Sequence, residues 1–230
     1  MANLLVIDTA TEACSVALQY ENQLFTRSKV APREHGELIL PMVDEILSEA
    51  GLKLTQLDAI VYGQGPGAFT GLRICISVVQ GLAFGADLPV IGVSSLQAMA
   101  QASRDSLGVE HVLSAIDARM GEVYWGQYES DVNGIMQLVG QETVCAPNVV
   151  TVSNADSSKV YSAVGTGWKT YAKELSETLN LPTVIHKEPL YPYAEAMLPK
   201  AVELYKQGEA IPAEQAIPVY LRDNVAKKAK

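Results

Sequence analysis

The feature that most constrains this chain is that it tells its structural story twice. Near the start, an apolar run from Leu4 ends in Asp8-Thr9, and Cys14–Tyr20 and Leu24–Val30 read as two further strands joined by a polar turn. A helical pattern follows between Pro32 and Gly51, with Leu38, Ile39, Met42, Val43, Ile46 and Leu47 at helical spacing. Pro41 should kink that helix or fall in its first turn. Then come a strand at Ala59–Tyr62, a glycine turn and an apolar helix. From His111 the order recurs. An apolar run ends in Asp117, strands are expected at Glu122–Glu129 and Ile135–Val144, and Lys159–Val164 enters Gly165-Thr166-Gly167 before a helix from about Thr170. The pairs Ile7-Asp8-Thr9 with Ile116-Asp117-Ala118, and Gly63-Gln64-Gly65 with Gly165-Thr166-Gly167, mark the register of the duplication. It is visible in order and turn placement rather than in identity. An α/β fold of two βββαβα lobes is expected, 1–105 and 106–230. The second ends in an amphipathic helix, Ala194–Gln207, and an extended arm, Ile211–Asn224, that can pack back on the first lobe.

The stretch Gly63 to Arg73 carries the densest local signal. Glycines there leave backbone N–H groups uncovered where a helix begins, which suits a phosphate, and Thr70 is placed to cap that helix. The spacing is neither of the two common phosphate-loop patterns. A tight turn serving packing alone is the commoner use of such glycines, and spacing by itself favours it. Within the following helix Ser77, Gly81 and Gly85 form one small-residue stripe. Glycine weakens a helix, so the stripe needs a reason, either internal packing or a subunit contact.

Composition narrows the function. The chain has 230 residues, 48% hydrophobic, and a net charge of −9, which is a poor match to polyphosphate over a broad face. Three scattered cysteines, Cys14, Cys75 and Cys145, exclude a disulfide frame. The N-terminus lacks the pattern of a signal peptide, and no apolar run is counted as long enough to span a bilayer, so a cytoplasmic protein is expected.

Paired lobes, each with an aspartate closing its first strand and a glycine turn beside it, resemble the actin-like ATPase and sugar kinase superfamily. That resemblance implies a cleft between the lobes where two aspartates orient Mg²⁺ and a nucleophile. The candidate nucleotide or cation site is therefore Asp8, Thr9, Glu12, Gly65, Gly67, Thr70, Asp117, Gly165 and Gly167. Against nucleotide binding, Trp168 stands where a phosphate would want open backbone, and the late glycine pair that grips adenosine is missing.

A closer resemblance rests on IDTATEACSVAL, PREH, YGQGPGAFTGLRI, GLAFGADLPVIGVSSL, AIDARMGEVYWGQY, VGTGW and PVYLRDNVA, in order along nearly the whole chain. Together these resemble the bacterial TsaB (YeaZ) family. The resemblance implies a cytosolic protein needed to form threonylcarbamoyladenosine beside the anticodon of ANN-reading tRNAs. It also implies partnership with a TsaD-like paralogue that carries the catalytic metal and with a TsaE-like ATPase. On that reading this chain has no catalytic residues, no metal and no cofactor of its own. ATP and metal sit on the partners, tRNA is met only through the complex, and the chain alone is a homodimer. TsaD-type proteins bind metal through two histidines four apart on the first helix; here His35 is followed four residues later by Ile39, and His111 and His186 lie too far along to complete the pair. The partner surface is expected on the first-lobe helices, at His35, Leu38, Met42, Leu72, Ile76, Ser77, Gly81 and Gly85. Two enzyme readings stand beside the scaffold: a nucleotide-dependent phosphotransferase using Asp8 and Asp117 on Mg²⁺, and a metallopeptidase.

Overall fold

A computed structural model describes residues 2–185 and 191–222. Its first sheet starts with β1 (Leu4–Asp8), β2 (Ala13–Tyr20) and β3 (Gln23–Val30), an antiparallel meander. Every residue of β1 is buried, as its unbroken apolar sequence requires of a central strand. Helix α1 (His35–Ala50) lays Ile39, Met42, Val43 and Ile46 against the sheet and ends on Gly51 in the left-handed conformation. Pro41 lies inside α1, beyond the first turn, and the helix runs on through it. Its side chain is exposed, so water can reach the Glu37 carbonyl that loses its N–H partner. Strand β4 (Ala59–Gly65) joins β1 in parallel, α2 (Phe69–Ala86) crosses back, and β5 (Val90–Ser94) completes the order β3-β2-β1-β4-β5.

Helix α3 (Ser95–Leu107) then leads to β6 (His111–Arg119), β7 (Glu122–Ser130) and β8 (Met136–Cys145), followed by β9 (Tyr161–Val164), α4 (Thr166–Leu179) and β10 (Thr183–Ile185). The second sheet runs β8-β7-β6-β9-β10, the same topology as the first, with β9 and β10 parallel to β6. The duplication is therefore real at the level of strand order. It is not complete: where α1 stands in the first lobe, the second has only a 3-10 turn, Pro147–Val149, and irregular chain up to β9.

Two helices pack outside the sheet that precedes them in sequence. Leu96, Met99 and Ala100 of α3 share a core with Val112, Ile116, Tyr128, Met136 and Val164 of the second sheet. A 3-10 segment, Ala194–Met197, and α5 (Leu198–Gln207) instead pack with Leu4, Val6, Ala59, Val61 and Val93 of the first. The arm beyond α5 continues along the first lobe. Ile211 exchanges backbone hydrogen bonds with Val90, Gln80 Nε2 donates to the Ala216 carbonyl at 3.1 Å, and Val219 N donates to the Gln64 carbonyl at 2.8 Å. Helix α2 is long and apolar enough, by length and composition alone, to cross a membrane, which the sequence reading did not count. Here Cys75, Ile76, Val79 and Ala83 place its inward stripe in the first-lobe core, the use of a core helix.

Candidate functional site

Asp8 is the first surprise. A carboxylate at a strand end beside a cleft is expected to be hydrated, yet Asp8 is fully buried. Its Oδ1 accepts from Ala10 N at 3.1 Å, while its Oδ2 is buried with no partner. A Cβ on Gly63 would sit 1.8 Å from that Oδ2, and Met197 Cε approaches the same point to 3.2 Å. Burial lifts the carboxyl to a pKa of about 7, against a downward pull from the Ala10 N–H. Asp8 is thus buried inside the first lobe and does not line the cavity between the lobes. The covering comes from residues near 197, too remote in sequence to be foreseen.

The glycine turn is likewise filled by the chain itself. Ala68 N donates to the Ala10 carbonyl at 2.7 Å, and a Cβ on Gly67 would stand 2.3 Å from that oxygen. Thr9 Oγ1 donates to the Gly71 carbonyl at 2.8 Å, and a Cβ on Gly71 would lie 2.1 Å from the Thr9 carbonyl. The glycines let the start of α2 seat directly on the end of β1, so close packing is one use of Gly67 and Gly71. Thr70 caps nothing: the helix starts at Phe69, its N-cap is Ala68, and no side chain caps it. The second lobe repeats the device. Gly165 has the same φ of +101° as Gly65, and Cβ atoms on Gly165 and Gly167 would fall 2.3 and 2.8 Å from atoms of Ala115. Trp168 does not face the cleft at all; it is buried in the second-lobe core beside Trp125, with Nε1 donating to the Leu113 carbonyl at 2.8 Å.

Between the lobes lies a cavity of about 670 Å³, open to solvent. Of the candidate cleft positions, Glu12, Gly67 and Asp117 line it. The two carboxylates meet an arginine rather than each other. Asp117 Oδ2 is 3.2 Å from Arg119 Nη1, and Arg119 Nη2 reaches across to Glu12 Oε1 at 3.7 Å. Arg119 is mostly exposed, so these pairs set position more than stability. Arg222 of the arm pairs with Glu122 and reaches the Arg119 carbonyl at 3.4 Å, which ties the C-terminal arm to the second lobe. Aromatic rings complete the wall: Phe69, Tyr124, Tyr191 and Tyr220. Arg119, Tyr220 and Arg222 lie within segments whose resemblance was noted, but nothing in their local spacing assigned them a role.

A divalent-cation nucleotide does not fit these residues, because one aspartate is sealed, the other is ion-paired, and the glycine turns are occupied. Among the described residues no group of three His, Cys, Asp or Glu is placed to hold a metal. His35 is the first residue of α1, buried, lining the cavity, with Nε2 unpartnered. Ile39, four residues on, is in the core, and His186 lies outside the described residues.

The outer face of the first-lobe helices also needs revision. Leu72 and Ile76 are buried in the monomer, as are His35 and Met42; Met42 and Ile76 pack in the first-lobe core, and His35 lines the cavity. Leu38 is half-buried. Ser77, Gly81 and Gly85 are exposed, and a Cβ on either glycine would meet nothing within 4 Å, so the stripe is not internal packing. Phe84, 84% exposed, stands beside it.

Fold and site together define a two-lobed α/β protein on the actin-like ATPase and sugar kinase plan. A family model described as TsaD, tRNA N6-adenosine threonylcarbamoyltransferase, matches residues 27–230. The chain is 48% identical to the Escherichia coli K12 tRNA threonylcarbamoyladenosine biosynthesis protein TsaB, covering 98% of this chain and 96% of that one. It is 42% identical to the Haemophilus influenzae protein of the same name, covering 98% and 95%. The solved structure of YeaZ from Pseudomonas aeruginosa superposes with a TM-score of 0.89 at 47% identity, covering 96% of this chain and all of that one. The chain belongs to the TsaB family of tRNA threonylcarbamoyladenosine biosynthesis proteins.

Proposed function

We propose that this chain is a non-catalytic scaffold subunit in forming threonylcarbamoyladenosine beside the anticodon of ANN-reading tRNAs. It binds a TsaD-like transferase and works with a TsaE-like ATPase, in the cytoplasm. ATP and metal belong to those partners, and tRNA is retained through the complex. The observation that carries the reading is the bare face of α2: Ser77, Gly81 and Gly85 exposed with open space above the glycines, and Phe84 next to them. Small residues on an exposed stripe admit close approach of another helix, and an apolar ring supplies buried area. The same self-complementary face suits a homodimer when the partner is absent. The state of the cleft agrees, since a phosphotransferase would need the Asp8 carboxylate that is sealed away. Gly81→Leu tests this. A bulky side chain where backbones meet should cost about 1–3 kcal/mol of association, weakening self-association in sedimentation and capture of the TsaD-like partner together, with the monomer folded. Undiminished partner capture by the folded variant would place the interface elsewhere.

A further inference from the structure

Cationic and aromatic side chains of this acidic protein converge at one place, the mouth of the interlobe cleft. Among the described residues Arg27, Arg104, Arg119 and Arg222 each have a carboxylate within salt-bridge distance. The remaining arginines, Arg33 and Arg73, pair with no carboxylate among the described residues, and both stand at this mouth. Arg33 lines the cavity and is held in the left-handed conformation at φ +73°, a conformation uncommon for a residue with a side chain. Arg73 lies one helical turn beyond Phe69 on α2, outside the cavity lining, with its guanidinium 3.8 Å above the Phe69 ring. Tyr220 of the arm stands 5.6 Å from the same ring, and its hydroxyl accepts from Arg73 Nε at 3.4 Å. Phe69 is 48% exposed and Tyr220 45%, so this is an accessible aromatic pair with a cation over it. Lys169, exposed and unpaired among the described residues, adds a third free positive charge on the opposite lobe.

Exposed rings flanked by unpaired cations are the means by which proteins hold unpaired nucleotides, with bases stacked on rings and phosphates on Arg and Lys. We infer that the mouth of the cleft, from Lys169 and Arg33 through Phe69 and Tyr220 to Arg73, is a contact for a short single-stranded segment of RNA. RNA, rather than a free mononucleotide, is favoured because the free cations run from the cavity wall out onto the surface of α2. They also do so on the same helical stripe as Ser77 and Gly81, so the strand would pass beside the proposed partner face. The choice of RNA rests on the tRNA function proposed above. About three phosphate contacts are too few to hold a tRNA alone at physiological salt against a net charge of −9, which agrees with retention through the complex.

The test is fluorescence anisotropy of a labelled ten-nucleotide single-stranded RNA titrated with the full chain alone at 50 mM and 150 mM salt. Saturable, salt-dependent binding in the range of about 10–100 µM at the lower salt is expected. Arg33→Gln with Arg73→Gln should flatten the logarithmic salt slope by about 1.4, at about 0.7 per phosphate. Phe69→Ala should weaken binding about ten-fold with the salt slope kept, and Phe69→Trp should restore it. All these side chains are at least half-accessible or exposed, and equal melting temperatures confirm folding. No saturable binding, or binding untouched by these variants, overturns the inference. Equal binding of duplex RNA overturns it in favour of unspecific attraction, and displacement by AMP at matching affinity overturns it in favour of a mononucleotide pocket. Because no partner is present, a failure here leaves the scaffold reading, which is tested by partner capture, untouched.

Discussion

Replacing Asp8 by asparagine should shift the stability difference toward the variant as pH rises from about 4 to about 7. In the fold the carboxyl is buried, has one N–H partner and no cation, and titrates near 7 instead of its ordinary 3.8. Between those values the native state holds a proton that the unfolded state has released, so native stability falls as pH rises through the window. A difference of about three pH units at 1.36 kcal/mol each sets the full cost of ionising Asp8 in place at about 4 kcal/mol. Asparagine cannot ionise and keeps the shape. Its amide carries two N–H donors where the protonated acid carries one O–H, so it leaves one further buried donor unpaired and should cost about 1–3 kcal/mol in acid, where neither side chain is charged. Urea denaturation of both chains from about pH 3.5 to about pH 9 isolates the effect, because every other titration is common and cancels in the difference. The difference should move steadily toward the variant from about pH 4 to about pH 7, by about 4 kcal/mol in all, and stay level above that. Parallel stability profiles for the two chains would show that Asp8 ionises without cost, and that it is hydrated or paired after all.

The two classes of glycine should separate. Gly71→Ala puts a Cβ 2.1 Å from the Thr9 carbonyl and should cost about 3 kcal/mol or yield insoluble protein, whereas Gly81→Ala meets nothing and should raise monomer stability by about 1 kcal/mol in the same denaturation assay. Ser94 accepts from Leu96 N and Gln97 N at the start of α3 and also bonds Glu142, so Ser94→Ala should lower stability by about 1–2 kcal/mol, read as a drop in melting temperature. Leu72→Ala should cost about 2–5 kcal/mol, since the side chain is core; a near-neutral result would return it to the partner surface.

The sequence made the duplication legible because strand order follows local signals: an apolar run that must be central, a glycine that must turn, a helix-spaced stripe. What escaped depended on contacts distant in sequence. Asp8 looked like a cleft residue because its neighbours in sequence are turn-like, but Met197 and Gly63 close over it. Trp168 follows a glycine turn and is expected from sequence to crowd a phosphate position, whereas its indole N–H donates to the Leu113 carbonyl inside the lobe. Leu72 and Ile76 share α2 with the exposed stripe, and periodicity gives a helix two faces without saying which one meets the sheet. The missing helix of the second lobe was expected by symmetry; its segment, 146–160, carries no helix-spaced apolar stripe to sustain one. Of the cations at the cleft mouth, Arg33 lies in a segment that carries only a resemblance, Arg73 closes the glycine stretch and Lys169 has no local signal, so only folding brings them and the rings of Phe69 and Tyr220 together.

The most direct test of the account is reconstitution. An unmodified ANN-reading tRNA is incubated with ATP, the threonylcarbamoyl donor system, a TsaD-like transferase and a TsaE-like ATPase, and its nucleosides are analysed for threonylcarbamoyladenosine. Product should require this chain, should not form with this chain as the only protein, and should form with Asp117→Asn within about two-fold of the parent rate, because a scaffold's cleft carboxylate performs no chemistry; a two-fold change is only about 0.4 kcal/mol. Loss of product with an Asp117→Asn chain that still binds its partner, or turnover by this chain alone, would contradict the account and make it an enzyme.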